Sequence, residues 1–208
     1  MISRLWTIGH STRTIDEFIS LLQENGIKLL ADVRSWPGSK RYPQFNKETL
    51  TGSLGKAGIR YEHFPELGGR RRPKPDSHNM AWRNASFRGY ADHMEAKEFH
   101  KGIKRLLEFA REAGPVAIMC AEAVWWRCHR SLISDYLKAR GIDVTHIVDA
   151  NKVQPHPYTS AARIVNGQLS YAEEDSLLSR RSMTAESKST KKHQEPRRDR
   201  RRSSTGSA

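Results

Sequence analysis

Short apolar runs alternate with amphipathic segments along the first 150 residues of the chain. Apolar and β-prone runs at 5–8, 28–33, 59–63, 116–119 and 144–148 predict five strands, of which the third is the most polar. Apolar residues at helical spacing predict helices between them, at about 15–22, 46–56, 99–110 and 129–140. We therefore predict an α/β fold with a mainly parallel sheet flanked by helices on both faces, as in Rossmann-like three-layer proteins.

Turn and cap residues mark the ends of several predicted elements. Thr14 and Glu17 have the spacing of a capping box at the start of the first helix. Asn166-Gly167, between apolar stretches at 163–165 and 168–171, predicts a type I′ hairpin. The segment 65–85 is rich in proline, glycine and arginine, which predicts a long loop of a kind that is usually functional or mobile.

Charge is unevenly distributed along the 208 residues. The formal net charge is +13, and residues 179–208 contribute ten basic and three acidic side chains to it. This stretch has almost no large apolar side chain, so it cannot offset its own ordering entropy. We predict one α/β domain over 1–171 and a basic, disordered C-terminal tail over 172–208, which is either a solubilising extension or an arm that binds polyanions.

The cysteine count and the absence of long apolar stretches indicate the compartment. The chain has two cysteines, Cys120 and Cys128, too few for a disulfide framework. No stretch approaches the roughly 20 apolar residues of a membrane-spanning helix, and no signal-peptide pattern follows the first residues. We expect a soluble, cytoplasmic protein with no membrane partner.

Polar residues cluster directly after three of the predicted strands. Loops at the carboxyl ends of parallel strands meet at one edge of the sheet, so we expect these residues to form one pocket. The clusters are Gly9, His10 and Ser11 after the first strand, Asp32 and Arg34 after the second, and Cys120, Glu122, Cys128, His129 and Arg130 after the fourth.

Cys128 is the strongest candidate nucleophile among these residues. It precedes a predicted helix, where the helix dipole together with Arg127, Arg130 and a charged His129 lowers the pKa of a thiol. The alternative for Cys128 and for Cys120 is a small buried hydrophobic residue. His129 is either a catalytic base or a hydrogen-bond partner of the backbone.

Glu122 follows an apolar strand, where partial burial is expected to raise its pKa and suit it to acid/base catalysis. Pairing with a nearby arginine is the alternative. Cys120, Glu122, Cys128 and His129 also supply four metal-ligand types within ten residues, without a paired Cys-x2-Cys signature. A metal- or sulfur-handling site therefore stays an alternative, and the sequence assigns neither a metal ligand nor a cofactor.

The first two clusters contain further candidates. His10 is a possible acid/base, and the backbone amides around His10 and Ser11 are expected to form an anion cradle. Asp32 and Arg34 lie two apart at a strand end, so both can face His10 or a substrate. A buried structural ion pair is the alternative for these two residues.

Arginines and aromatic residues are dense around these loops. Guanidinium groups bind phosphate oxygens and aromatic faces stack on bases, which favours a phosphate-bearing small molecule or a nucleic acid as partner. The arginines are Arg34, Arg41, Arg70, Arg71, Arg72 and Arg130, and the aromatic residues include Trp36, Tyr42, Phe45, Tyr61 and Trp82. The alternative is a solvated basic loop with core aromatics.

Taken in order, these motifs resemble a bacterial and archaeal family known as domain of unknown function number 488. The matching pieces span residues 1 to about 171 and include Thr7–Ser11, Asp32-Val33-Arg34, Pro37, Ser39, Phe45, Tyr61, Leu67-Gly68-Gly69, Tyr90-Ala91, Cys120-Ala121-Glu122, Cys128-His129-Arg130, His146-Ile147 and residues 163–167. The resemblance implies an α/β fold and implies no substrate, because the family has no established activity.

Function follows as a hypothesis with two alternatives. We expect a hydrolase or group transferase acting on a nucleotide, nucleoside or nucleic-acid component, with His10, Asp32, Glu122, Cys128 and His129 as catalytic residues. The expected substrate-binding residues are Gly9, Ser11, Arg34, Arg41, Tyr61, Arg70, Cys120 and Arg130. The chain has no Walker loop, dinucleotide fingerprint or nucleophile elbow, which disfavours the corresponding enzyme classes. The alternatives are a non-catalytic nucleic-acid-binding module and a metal- or sulfur-handling cysteine site. The sequence leaves the oligomeric state open.

Overall fold

The computed structural model describes residues 2–173, which form a mixed six-stranded sheet, a separate hairpin and helices on both faces of the sheet. The strands are β1 (Arg4–Gly9), β2 (Leu29–Asp32), β3 (Arg60–His63), β4 (Val116–Cys120), β5 (Asp143–Asp149), β6 (Lys152–Pro155), β7 (Arg163–Val165) and β8 (Gln168–Ser170). The sheet order is β3-β2-β4-β1-β5-β6, with β6 antiparallel to β5 and the other neighbours parallel.

Helices connect the strands in the manner that the alternating sequence pattern predicts. They are α1 (Ile15–Glu24), α2 (Lys47–Lys56), α3 (Ala85–His93), α4 (Lys97–Ala113) and α5 (Arg130–Lys138), together with short 3-10 helices at Pro43–Phe45, Pro65–Leu67 and Trp125–Arg127. Thr14 caps α1, and its side chain and that of Glu17 form the reciprocal capping box that their spacing predicts.

The core has two layers, one on each face of the sheet. Ala117 and Met119 of β4 pack with α1 and α2, whereas Val116 and Ile118 pack with α4 and α5. Because successive strand residues point to opposite faces, a strand covered on both sides is apolar throughout, as β4 is. The predicted three-layer α/β fold is confirmed.

The hairpin prediction is also confirmed. Strands β7 and β8 pair antiparallel, and the two residues between them, Asn166 and Gly167, have φ values of 51° and 76°. Positive φ at both central positions is the signature of a type I′ turn, which asparagine and glycine adopt at little steric cost.

Helix α3 and strand β6 were not predicted, and neither were the three short 3-10 helices. Helix α3 presents Gly89 and Asp92 to the loop before it: a Cβ on Gly89 would collide with the backbone of Arg71, and Asp92 accepts hydrogen bonds from the Ser77 hydroxyl (2.6 Å) and the Asn79 amide (2.8 Å). Because glycine and aspartate occupy buried positions of α3, the helix lacks the continuous apolar stripe that would have predicted it. Strand β6 is exposed throughout its length, has four residues and ends in a proline, so it gives little strand signal.

The connections place the carboxyl end of β4 between loops that lead to opposite faces. Strands β1 and β2 flank β4 and lead to α1 and α2 on one face, whereas β4 leads to α5 on the other. Such a reversal opens a crevice at the carboxyl ends of the strands. None of the helices within residues 2–173 has the length and apolar character needed to cross a membrane. The tail prediction for 172–208 falls almost entirely outside the described residues.

Candidate functional site

A buried ion pair ends β2. The Asp32 carboxylate accepts hydrogen bonds from the Arg34 backbone N–H (3.0 Å), from Arg34 Nε (2.9 Å) and Nη2 (2.6 Å), and from the Tyr61 hydroxyl (2.7 Å). Arg34 Nη2 also donates to the carbonyl of Phe45. Burial opposes the charge of the guanidinium, but Asp32 outweighs it and raises the pKa of Arg34. Burial and then Asp32 raise the pKa of Tyr61 well above its usual range.

His10 packs beside this pair and is itself buried. Its ring stacks on Phe45 with centroids 4.2 Å apart, Nδ1 lies 3.0 Å from the Ser11 carbonyl oxygen, and Nε2 lies 3.4 Å from Arg34 Nη1. Burial, followed by the Arg34 charge, lowers the pKa of His10 to about 4. The neutral ring therefore donates from Nδ1 and presents the Nε2 lone pair to Arg34. His10 can act as a base only if Arg34 moves away.

The backbone amides of His10 and Ser11, in the loop after β1, do not form the expected anion cradle. The His10 N–H donates to the Cys120 carbonyl (3.0 Å) and the Ser11 N–H to the Ala121 carbonyl (2.9 Å), so these donors are already used. A Cβ on Gly9 would collide with the Glu122 carbonyl oxygen, so glycine is needed there for close packing of two loops. The β1 loop thus braces the β4 loop.

The two cysteines and His129 converge at the carboxyl end of β4; we call these three residues the cysteine–histidine cluster. His129 Nδ1 lies 3.6 Å from Cys128 Sγ and 3.9 Å from Cys120 Sγ, and the three atoms all lie within 4.8 Å of one another. Both cysteines are buried and unbridged. Cys120 ends a strand while His129 is the N-cap residue of α5, so one strand-to-helix connection supplies all three side chains.

The other ring nitrogen fixes the tautomer of His129. Nε2 lies 3.1 Å from the carbonyl oxygen of Val33, which can only accept a hydrogen bond, so Nε2 carries the proton. In the neutral ring, Nδ1 then offers its lone pair to the two sulfur atoms. The ring also packs against Tyr90, with centroids 4.9 Å apart. His129 is therefore held in position from the β2 loop and from α3.

The two thiols have different acidities. Burial opposes ionisation of Cys128, but its hydrogen bond with Cys120 and the neighbouring His129 and Arg130 together lower its pKa well below that of a free cysteine. The hydrogen bond with Cys128 and then burial raise the pKa of Cys120. These directions make Cys128 the more acidic thiol of the two.

Because Gly69 has no side chain, the imidazole of His129 can pack directly against its backbone. A Cβ on Gly69 would lie 2.8 Å from His129 Nδ1, which is closer than real contacts allow. Gly69 belongs to the loop after β3, and its carbonyl accepts a hydrogen bond from the Ser35 hydroxyl (2.9 Å). Of the Gly68-Gly69 pair singled out by the sequence, Gly69 thus faces the cysteine–histidine cluster and Gly68 faces Ser35.

Arg130 is almost completely buried and begins a chain of polar groups. Its Nη2 donates to the Glu122 carbonyl (2.5 Å) and its Nη1 to the Thr7 hydroxyl (3.2 Å), whereas its Nε has no hydrogen-bond partner among the described residues. The Thr7 hydroxyl lies 2.7 Å from His146 Nδ1. Arg130 is committed to the protein interior and does not reach outward toward a ligand.

This hydrogen-bonded series of polar groups continues through His146, His156 and Asp135, which the sequence analysis did not identify as site residues. His146 Nε2 lies 2.9 Å from His156 Nδ1, and His156 Nε2 lies 3.0 Å from the Asp135 carboxylate. Burial, followed by His156 and Arg130, lowers the pKa of His146 to about 2, so its ring is neutral. A histidine in the middle of the apolar run 144–148 was the available signal, because a buried polar side chain needs partners.

The remaining predicted site residues are exposed. Glu122 lies at the surface, so the partial burial expected for its carboxyl group is absent. The Arg70 guanidinium lies 5.7 Å from the ring centre of Trp36, which is 70% exposed, and the Arg41 guanidinium lies 5.4 Å from that of Tyr42. These arginines extend from the loops after β2 and β3, and their predicted role in substrate binding stays a prediction.

An open pocket of about 490 Å³ lies at the opposite edge of the sheet, at the amino ends of β1 and β4. Its lining includes Arg4, Trp6 and Arg111. It is separate from the cysteine–histidine cluster and has no cluster of catalytic residue types, so the candidate site remains at the carboxyl edge.

These features define an α/β protein with a thiol–imidazole cluster at the carboxyl end of its central parallel strands. The family model described as "Domain of unknown function DUF488" matches residues 14–137, and the chain belongs to this family. The match confirms the resemblance seen in the sequence; it includes the cysteine–histidine cluster and excludes His10. Searches of curated proteins and of solved structures gave no match.

Proposed function

We propose that the protein is a hydrolase or group transferase that acts on a nucleotide, nucleoside or nucleic-acid component at the carboxyl edge of the sheet. The observation that carries this proposal is the cysteine–histidine cluster, in which an imidazole lone pair faces two sulfur atoms at 3.6 and 3.9 Å. A nucleophile or metal ligand beside a base that a third group orients is a recurring arrangement in enzymes. Here the Val33 carbonyl is that third group.

The loops around the cluster favour a substrate that carries a phosphate and an aromatic base. Trp36 is largely exposed, with the Arg70 guanidinium near its face, and Arg41 lies near Tyr42 in the same way. An exposed indole can stack on a base while a neighbouring guanidinium binds a phosphate. Arg34 is less suited to this task, because Asp32 already occupies its donors.

The buried groups at the same edge have supporting roles in this proposal. The Asp32–Arg34 pair and His10 keep the β1 and β2 loops in place, and the β2 loop in turn supplies the carbonyl that orients His129. Arg130 fixes the β4 loop through the carbonyl of Glu122. Glu122, exposed on that loop, is the proposed group for proton exchange with a bound substrate.

The test is turnover of a panel of nucleosides, nucleotides and short oligonucleotides. We expect wild-type protein to convert at least one member, and Cys128→Ser and His129→Gln to lower kcat by at least about 100-fold. His78→Ala is the matched control, because His78 is exposed and pairs with Glu95, which lies just after α3. No turnover of any compound, or full activity of Cys128→Ser, contradicts the proposal.

A second candidate function is nucleic-acid binding without catalysis. It is favoured by the exposed indoles of Trp36 and Trp126, which are 70% and 55% exposed, together with the basic loop 70–74. Phosphate contacts make log affinity fall linearly with log salt concentration. Trp36→Ala should weaken binding of single-stranded oligonucleotides, and removal of residues 179–208 should reduce the salt slope. An unchanged slope rules out the tail as a binding arm.

A further inference from the structure

Within the described structure, three side-chain atoms of types that bind soft metal ions lie close together. The atoms are the two sulfurs of Cys120 and Cys128 and Nδ1 of His129, and every pair lies within 4.8 Å. They come from residues that the sequence separates by at most nine positions. No other group of three or more such ligand residues was found among residues 2–173.

The distances match a tetrahedral zinc site. Zinc–sulfur bonds of about 2.3 Å and zinc–nitrogen bonds of about 2.0–2.1 Å, at tetrahedral angles, place sulfur and nitrogen roughly 3.6 Å apart. The measured separations from His129 Nδ1 are 3.6 Å to Cys128 and 3.9 Å to Cys120. The two sulfurs lie within 4.8 Å of each other, and a tetrahedral zinc ion holds two sulfurs roughly 3.8 Å apart, so side-chain shifts of at most about 1 Å bring all three atoms to bonding distance of a common centre.

The surroundings of His129 are those of a metal-binding histidine. Such a histidine usually donates its second ring N–H to a carboxylate or to a backbone carbonyl, which fixes the tautomer. His129 Nε2 lies 3.1 Å from the Val33 carbonyl oxygen, so the lone pair of Nδ1 is directed to the sulfurs. Gly69 lies beside Nδ1 without a side chain, and any Cβ there would fill this space.

We propose that Cys120, Cys128 and His129 bind one zinc ion. Two thiolates and one imidazole suit zinc better than magnesium or calcium, which prefer oxygen ligands. Iron–sulfur clusters usually require four ligands, commonly cysteines, and the chain has two cysteines. Three protein ligands leave the fourth position for water or substrate, which is the pattern of catalytic zinc sites.

An open fourth position on the zinc ion would supply a nucleophile for the hydrolysis in the proposed function. Zinc-bound water ionises near neutral pH and then serves as the nucleophile of a hydrolysis. The use of the fourth position in catalysis rests on the proposed function, whereas the binding of zinc rests only on the three ligands and their surroundings. Under this proposal the cysteines hold the metal and form no covalent bond to substrate.

The experiment is a metal titration of the untagged, full-length protein after treatment with a chelator. Zinc is added alone, and the free concentration is read with a chromophoric competitor, while elemental analysis gives the stoichiometry. We expect one zinc per chain and protection of both thiols from alkylation when zinc is present. Cobalt in place of zinc should give the sulfur-to-metal charge-transfer band and the intense visible bands of a tetrahedral thiolate site.

Single substitutions then identify the ligands. We expect Cys120→Ser, Cys128→Ser and His129→Ala each to weaken zinc binding by more than about 100-fold, because loss of an outer-shell partner alone costs roughly 10–100-fold. His78→Ala, at an exposed histidine, should bind zinc as wild type does. Circular dichroism checks that each variant is folded. The cobalt spectrum and thiol protection of the wild type keep the proposal testable if a variant does not fold.

The outcomes separate this inference from the proposed function. Failure of the wild type to bind zinc, or unchanged affinity in Cys128→Ser, overturns the zinc site. If wild type binds no zinc in the titration yet turns over a nucleotide that Cys128→Ser does not, the proposed function stands and the zinc site is wrong. If zinc binds as expected but no compound is converted, the zinc site stands and the proposed function is wrong.

Discussion

Replacing Asp32 with asparagine keeps the shape of a completely buried side chain and removes its charge. In the native protein this carboxylate accepts hydrogen bonds from the backbone and guanidinium of Arg34 and from the Tyr61 hydroxyl. In Asp32→Asn the guanidinium is left without its counter-ion, and the amide nitrogen meets groups that are themselves donors. The variant should therefore fold less stably than wild type.

The structure allows the size of this loss to be estimated. The side chains of Arg34 and Asp32 are 7% and 0% exposed, and breaking a buried ion pair by removing one charge costs about 3–5 kcal/mol. Tyr61→Phe removes one hydrogen bond to the charged acceptor and should cost about 1.5–3 kcal/mol. For a domain of this size, about 3–5 kcal/mol corresponds to a fall in Tm of roughly 6–20 °C.

Urea denaturation followed by circular dichroism measures this difference. The matched control is Glu108→Gln, which neutralises a carboxylate in an exposed i,i+4 pair with Lys104 and should cost about 0.3–0.5 kcal/mol. A loss below about 1 kcal/mol for Asp32→Asn, or a loss equal to that of Glu108→Gln, would refute the reasoning that the pair is held away from water.

Three further predictions concern other contacts. Gly69→Ala should displace His129 and lower stability by about 1–3 kcal/mol, measured in urea, with weaker zinc binding. The pKa of His146 is about 2 in the folded protein, below its unfolded value of about 6.5, so the unfolded state takes up the proton first. The contribution of His146 to the free energy of unfolding is complete above pH 6.5 and should fall by about 2 kcal/mol as the pH is lowered from 6.5 to 5. His146→Asn should make the free energy of unfolding less dependent on pH in this range. Tyr171→Phe removes a 2.9 Å hydrogen bond to a buried carboxylate and should cost about 1.5–3 kcal/mol in urea.

Each of these predictions has a control within the chain. A Cβ on Gly38 meets nothing within 4 Å, so Gly38→Ala should leave both stability and zinc affinity unchanged. His78→Ala should not alter the pH dependence attributed to His146, and Tyr158→Phe should be nearly neutral because Tyr158 is 37% exposed. Equal effects in a variant and its control would contradict the corresponding argument.

The regular elements of the fold followed from local pattern, and the exceptions have physical causes. Strand β4 is apolar throughout because it is covered on both faces, and the capping residues of α1, Thr14 and Glu17, are three positions apart in the chain. Helix α3 escaped prediction because it packs against the loop that precedes it, through Gly89 and through the hydrogen bonds that Asp92 accepts from Ser77 and Asn79. Contacts of that kind depend on the tertiary fold, and no local spacing encodes them.

The sequence predicted which residues form the candidate site, but it predicted their arrangement only in part. Convergence of Cys120, Cys128 and His129 follows from their places at a strand end and a helix start. The orientation of His129 by the Val33 carbonyl could not be predicted, since it depends on how β2 and β4 pair. The spacing of Asp32 and Arg34 left a buried ion pair open as an alternative, and the structure shows that pair. In contrast, nothing local showed that the amides after β1 are used to hold the β4 loop.

Both edges of the main sheet are poor templates for adding another strand. Edge strand β6 ends in Pro155, which has no N–H to donate, and begins with the exposed Lys152. At the opposite edge, β3 carries the ion pair of Arg60 and Glu62, whose side chains are 50% and 23% exposed. Extension of the main sheet by strand pairing at either edge is therefore disfavoured.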